Sequence, residues 1–441
     1  MPLSAKNFSC ENISQMDPSR SEVFRGLGGA YQSQGQHGMA FASYQQAINL
    51  DPTDLLVYLK LGMLYEELAV GKYEEAGGHA IRCLDYYLQH SGSEDTDILT
   101  RLGNLQVRTL DPSSATKTYE RALAVDPSLA NVWFNLANAH LQLGKEQEAA
   151  RCLLEKLRLD PDSGISAKYL LASLESHPER LTEADQTAYA RELFDYYAPT
   201  YDDHMRKKLL YTGPRLLRKN VKDVYNETFQ SLPEDIRSSH DGDVLSYLNG
   251  SLDILDLGCG TGLIGSWFKD YAKTLVGVDV SAAMLDMATK KGCYHELRKG
   301  DIRTYLATSK VERFDLVVAA ETLQYLGPLE GVFEGIFRAL RCGGYFAFTV
   351  DRRNYDVEDE KAAQKPGASR INQVLNDSRN YSLKKEGTYV YTRVYLEELA
   401  RRCNFDIVML KCHSTLVQRG KAAPGFMGIL KKRLSFTNKN I

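Results

Sequence analysis

Seven residues, Asp256-Leu-Gly258-Cys-Gly260-Thr-Gly262, connect one apolar run to an amphipathic stretch, and a second apolar run ends at Asp279. Glycines let the backbone turn sharply and let a ligand approach where a Cβ would collide. Asp256, just ahead of them, can accept a hydrogen bond from an ammonium group. Asp279 is placed to take two ribose hydroxyls; its plainer role is a loop acid before the helix cap Ser281. After a third run comes Gly300-Asp301-Ile302, where a carboxylate can accept an exocyclic amine and a backbone amide can meet a purine ring. Acids at three successive strand ends suit an adenosine-bearing ligand. A dinucleotide enzyme would use the same glycines, with a pyrophosphate on the helix N-terminus. Asp256 weighs against that alternative, an NAD-dependent oxidoreductase, because it would repel the pyrophosphate.

These residues need a scaffold that sets them along one edge. The pattern predicts strands at Leu252–Leu257, Thr274–Val278, His295–Lys299, Phe314–Ala319 and Tyr345–Asp351, with helices near 261–270, 282–291 and 328–341. Two further strands, Phe405–His413 and Phe426–Leu430, follow a helix at 394–402. Such alternation specifies an α/β doubly wound, Rossmann-like sheet with its ligand site at the carboxyl ends of the strands. Glu321, in AAETLQYL, falls after the fourth strand, and a connecting helix at Thr182–Tyr197 leads in from the N-terminal half.

That first half is periodic. Asp126-Pro127 and Asp160-Pro161 are 34 residues apart, and Asp51-Pro52 marks an earlier unit. Counting back from Pro52 places Phe24, Leu27, Gly28 and Tyr31 on a first helix and Ala40, Tyr44 and Ala47 on a second; the same offsets from Pro127 give Leu99, Leu102, Gly103, Ala115, Tyr119 and Ala122. A unit lengthened at Ala69–Lys72 lies between, and Ile165–Ser176 reads as a capping helix. Small residues let paired helices cross closely and proline ends each second helix. This all-α solenoid resembles the tetratricopeptide repeat, over about 23–161. The array carries no catalytic cluster, so it reads either as a docking surface for a peptide or partner protein or as a rigid spacer or dimerisation element.

The segment 252–351 resembles the class I S-adenosylmethionine-dependent methyltransferases. The resemblance implies that Asp256, Gly258, Gly260 and Gly262 line the methionine end of S-adenosyl-L-methionine, Asp279 its ribose, and Asp301 with Ile302 its adenine. Glu321 falls where that family often carries an aspartate or asparagine near the reacting methyl. The flanks, Phe194-Asp-Tyr-Tyr197-Ala-Pro-Thr-Tyr201-Asp202-Asp-His204 and Gly387-Thr-Tyr389-Val-Tyr391-Thr, look like bacterial-type methyltransferases that carry tetratricopeptide repeats in the same chain. Tyr197 and Tyr201 would close over the cofactor, and Glu321 and His204 are the candidate bases. Polar stretches at 219–249 and 352–386 depart from the compact pattern, the second as a prospective lid. The expected division is a tail (1–20), the repeat array with its cap (21–181), connecting helices (182–218) and the methyltransferase domain (219–441). Beside the enzyme stands a second class, a repeat adaptor whose cofactor domain is non-catalytic.

Composition sets the bounds. Lys and Arg total 54 against 57 Asp and Glu, a net charge of -3, so no global basic field gathers nucleic acid. The eight cysteines form no CxxC pair, which argues against zinc and against a disulfide framework. No metal is expected, and a reducing cytoplasm is the simplest home. No apolar stretch approaches the roughly 20 residues that span a bilayer, so no membrane association is expected. The methyl acceptor is not legible.

Overall fold

The computed structural model describes residues 20–69, 74–175, 177–352, 380–384, 386–418 and 421–433. The chain divides into two compact units, one running to Ala167 and the other starting at Lys168.

The first unit is built from helix pairs. Ser21–Ser33 pairs with His37–Leu50, Leu55–Ala69 with Glu74–Ser91, Thr96–Arg108 with Pro112–Val125, and Ala130–Gln142 with Glu146–Leu159. The spacing shared by the first and third helix pairs has a direct steric cause. A Cβ on Gly28 would sit 2.4 Å from the ring of Tyr44, and one on Gly103 would sit 2.4 Å from the ring of Tyr119. Each tyrosine thus fills the space its glycine leaves, and its hydroxyl returns to the same helix pair, Tyr44 to Gln32 and Tyr119 to Asn104. The lengthened turn expected at Ala69–Lys72 lies mostly outside the described residues. The helix Ile165–Leu174, expected as the cap of the array, straddles the division. Within the second unit, Tyr169 stacks on Tyr189 at 4.0 Å and Lys168 pairs with Asp185 at 2.7 Å.

In the second unit, β1 (Leu252–Leu257), β2 (Ala272–Asp279), β3 (Glu296–Lys299), β4 (Phe314–Ala319) and β5 (Leu340–Asp351) run parallel. A hairpin of β6 (Tyr381–Leu383) and β7 (Tyr389–Tyr391) stands apart from them, and β8 (Phe405–His413) forms the sheet's edge. After the short β9 (Val417–Gln418) and β10 (Lys421–Ala422), β11 (Gly425–Lys432) inserts antiparallel between β5 and β8. The order is β3-β2-β1-β4-β5-β11-β8, so the chain reverses its winding between β1 and β4 and opens a crevice at their carboxyl ends.

Side-chain alternation feeds two cores. Leu255, Leu257, Val317, Phe346 and Phe348 face one side with Phe333 and Ile336; Ile254, Leu316, Val318 and Ala347 face the other with Phe268. Phe333 meets Phe346 edge-on at 5.5 Å and Phe405 at 6.5 Å. Phe333→Ala is expected to lower stability by about 3–5 kcal/mol through the cavity it leaves, measured by urea unfolding.

The stretch 219–249, expected as a polar insertion, is structural. It continues the helix Gly213–Gln230, whose Leu217, Val221, Tyr225 and Phe229 recur every fourth residue and bury one stripe in the second core. The many charges on its outer face mask that stripe in the sequence. Lys432 is 6% exposed and donates to the Leu340 carbonyl at 2.7 Å. Tyr389 and Tyr391 are both buried, and the Tyr391 hydroxyl donates to the carbonyls of Leu323 and Gly327, so packing accounts for them. The prospective lid at 352–386 falls largely outside the described residues. Among the described residues, no helix is long and apolar enough to cross a membrane.

Candidate functional site

A cleft opens at the carboxyl ends of β1, β2 and β4. Of the residues the sequence nominated, it is lined by Tyr201, Gly258, Gly260, Asp279, Asp301, Ile302 and Glu321. Asp256, Gly262, Tyr197 and His204 are not on its wall.

The glycine turn follows β1 directly. Gly258 has φ +69°, and a Cβ there would lie 2.3 Å from Thr322 Oγ1, so only glycine lets β1 and the loop after β4 approach this closely. Gly260 has φ +52° with open space before it, which leaves backbone facing the cleft. Gly262 caps the helix Leu263–Phe268 and packs instead toward Tyr294.

Asp279 is buried, and both of its oxygens accept backbone hydrogens, from Gly260 at 2.8 Å and Ser281 at 2.9 Å. Burial pushes its carboxyl up to about 6 even though those hydrogen bonds oppose the shift. Asp256 lies behind the turn. Its Oδ2 accepts the Tyr294 hydroxyl at 2.7 Å, and its Oδ1 is buried without a hydrogen-bond partner. Burial raises this carboxyl to about 7. Asp301 Oδ1 caps the helix Ile302–Thr308 through the Thr304 amide, and its Oδ2 accepts the Thr187 hydroxyl at 2.9 Å.

Thr187 belongs to the helix Glu183–Tyr197, which covers the cleft with Gln186, Ala190 and Phe194. A capping box of Thr182 and Asp185 starts it. Asp195 anchors its far end by accepting the Ser281 hydroxyl at 2.5 Å. These wall residues escape a sequence reading because their signal, an i, i+4, i+8 face, is that of any packed helix.

Just beyond this helix, Tyr201 lies on the cleft wall while Tyr197 and His204 project outward. His204 is exposed and makes only a loose ring contact with Tyr197, at 6.3 Å. The structure thus places His204 on an exposed helical segment and not on the cleft wall that carries Glu321. The turn is held from below. Asp202 pairs with Lys291 at 2.6 Å, Thr261 of the glycine turn donates to Asp202, and Lys291 donates to Thr261 at 3.1 Å. Lys291→Met is expected to release Tyr201 and weaken cofactor binding about tenfold, with Asp202→Asn adding little to it because the two act through one contact; calorimetry on single and double variants checks this.

Glu321 follows β4 with φ +53°, which is unusual for a side chain of this size. Its Oε1 accepts the hydroxyls of Thr349 at 3.0 Å and Thr415 at 2.7 Å, and its Oε2 accepts Gln324 Nε2 at 3.0 Å. Burial first and Asp351 second raise its carboxyl above the ordinary range.

A buried carboxylate oxygen with no partner behind the turn, a bare backbone cradle and a strand-end acid are a donor set for a cationic amino-acid tail and a ribose. A pyrophosphate would meet Asp279 and Asp301 and, among the described residues, no lysine or arginine on the wall. Comparison with known proteins agrees. Residues 255–348 match the family model of the methyltransferase domain, and 17–68 and 100–164 match tetratricopeptide-repeat models. The chain is 31% identical over 140 residues to a probable S-adenosylmethionine-dependent methyltransferase of Saccharomyces cerevisiae, covering 30% of this chain and 46% of the relative. It is 32% identical over 97 residues to a malonyl-[acyl-carrier protein] O-methyltransferase of Enterobacter lignolyticus, covering 22% and 38%. With a ubiquinone biosynthesis O-methyltransferase of Pseudomonas fluorescens it shares 30% over 108 residues, 23% and 45% of the two chains. The chain spans less than half the length of these relatives. From the cleft and these matches together, the chain carries tetratricopeptide repeats and a methyltransferase domain similar to those of S-adenosylmethionine-dependent methyltransferases.

Proposed function

We propose that this chain transfers a methyl group from S-adenosylmethionine to an acceptor that reaches the cleft beside Glu321, and that its repeats dock a partner protein or the acceptor's carrier. The observation that carries the reading is that Glu321 shares one wall with Gly258, Gly260, Asp279 and Asp301. When bound, S-adenosylmethionine supplies an electrophilic methyl on a positively charged sulfur with a good leaving group. The protein's part is therefore alignment and exclusion of water, and alignment alone can be worth about 7–11 kcal/mol.

Each wall residue has a task. Gly258 and Gly260 cradle the amino-acid tail, with the charge of Asp256 behind them. Asp279 orients the ribose hydroxyls, and Asp301 with the Ile302 amide orients the adenine. Phe194 stands edge-on to Tyr325 at 5.0 Å and to Tyr201 at 6.2 Å, closing the cleft against water. Glu321 Oε2 faces the acceptor and holds its proton.

Incubation of the full chain with methyl-labelled S-adenosylmethionine and a cell lysate tests the reading. Label transfer supports it. Cofactor-dependent stabilisation without any labelled product would instead identify a binding module, and stabilisation by NAD in place of S-adenosylmethionine would overturn both.

A further inference from the structure

The charge pattern around Glu321 narrows the acceptor. Among the described residues, every charged residue on the cleft wall is an acid: Asp279, Asp301 and Glu321. Two of them are engaged within the fold, Asp279 by two backbone amides and Asp301 by a helix N-terminus and Thr187. Glu321 differs. Among the described residues no lysine, arginine or histidine pairs with it, and the charge that acts on it is that of another acid, Asp351, itself paired with Lys384 at 2.6 Å.

Its hydrogen bonds also fix which oxygen is available. The Glu321 amide donates to Thr349 Oγ1 at 2.9 Å, so the Thr349 hydroxyl turns its one hydrogen to Oε1, which also takes Thr415. Oε2 receives only Gln324 and keeps acceptor capacity. Three rings, Phe194, Tyr201 and Tyr325, line the same cleft, and ring faces attract cations. A fixed carboxylate without a protein counter-ion, next to aromatic rings, is a receptor for a cation.

We infer that the acceptor is an amine, methylated on nitrogen. The inference rests on the methyl-transfer reading. The amine arrives as an ammonium ion, held by Glu321 and the rings. One N–H proton passes to Glu321 Oε2, which frees the nitrogen lone pair. That pair forms the bond to the methyl carbon while the electrons of the carbon–sulfur bond return to sulfur. An N-methylammonium ion and a neutral thioether leave, and Glu321 releases its proton to water. A carboxylate acceptor would meet Glu321 and Asp351 with like charge. An alcohol would have to yield a far less acidic proton to a carboxylate base.

The test uses the full chain, methyl-labelled S-adenosylmethionine and a whole-cell lysate. Labelled products are treated with mild alkali and then located by fragmentation mass spectrometry. The expected result is label that survives alkali and sits on nitrogen, with Glu321→Gln lowering labelling at least about 100-fold while its cofactor affinity by calorimetry stays within about threefold. Retained cofactor binding shows that this variant is folded, and Glu321→Asp is expected to restore part of the rate. Label lost as methanol, label on oxygen, or a Glu321→Gln rate within threefold of the parent would overturn the amine assignment while leaving methyl transfer standing. No label at all despite measured cofactor binding would overturn the methyl-transfer reading itself, and the inference with it.

Discussion

Asp279→Ala is expected to weaken S-adenosylmethionine binding by two to four orders of magnitude, measured by isothermal titration calorimetry. Two contributions add. The carboxylate would accept both ribose hydroxyls, and a hydrogen bond to a charged group is worth about 1.5–3 kcal/mol. Asp279 also accepts the Gly260 amide at 2.8 Å and the Ser281 amide at 2.9 Å, so it ties the glycine turn to the start of the helix Ala282–Lys291. Alanine loses the ligand contact and loosens the cradle together. Asp279→Asn separates these contributions: it keeps the volume but presents an NH2 group to one of the two amides, so its affinity should fall nearly as far. Lys291→Met, which leaves Asp279 in place, should fall far less. An Asp279→Ala chain that binds within threefold of the parent would remove Asp279 from the cofactor site.

The second large effect is on pH. Asp256 and Asp279 titrate at about 7 and about 6 in the folded chain, against an ordinary 3.8, because burial disfavours their charged forms. The sign follows from proton counting. Between about pH 4 and 7 the native state holds more protons on these groups than the unfolded chain does, so their contribution to stability falls as pH rises through that window. A tenfold difference in proton affinity between the two states corresponds to about 1.4 kcal/mol. Below about pH 4 both states are protonated, and above about 7 the full cost is present. A bound ammonium and ribose favour the ionised acids, so cofactor affinity should change in the opposite direction and strengthen from about pH 5.5 to 8. Thermal melts across that range are expected to show the ligand-free melting temperature declining while the increase produced by S-adenosylmethionine grows. Asp256→Asn should flatten both trends. A cofactor-induced increase that shrinks with rising pH would contradict the assignment of these acids to a cationic ligand.

Much of the fold is legible in the sequence. The strands β1 and β4 have the bounds that the apolar runs indicate, because a buried parallel strand is nearly continuous in Val, Leu and Ile. The repeat array is legible for a related reason. Gly28 with Tyr44 and Gly103 with Tyr119 are local steric pairs, so the same spacing recurs in those two units.

What the sequence determined by itself was therefore local: periodicity, turn chemistry, and the acids Asp256, Asp279 and Asp301 at successive strand ends. Tertiary structure alone decided the rest. It turned His204 outward and Tyr201 inward from neighbouring positions on one turn, and it placed Gln186, Thr187 and Phe194 over a cleft more than fifty residues away in the chain. It gave Glu321 three hydrogen-bond donors, from Gln324, Thr349 and Thr415, two of them far along the chain and none of them basic. The physical reason is that a strand or a repeat is written in neighbours, whereas the charge balance of a site depends on which distant side chains the fold brings to it.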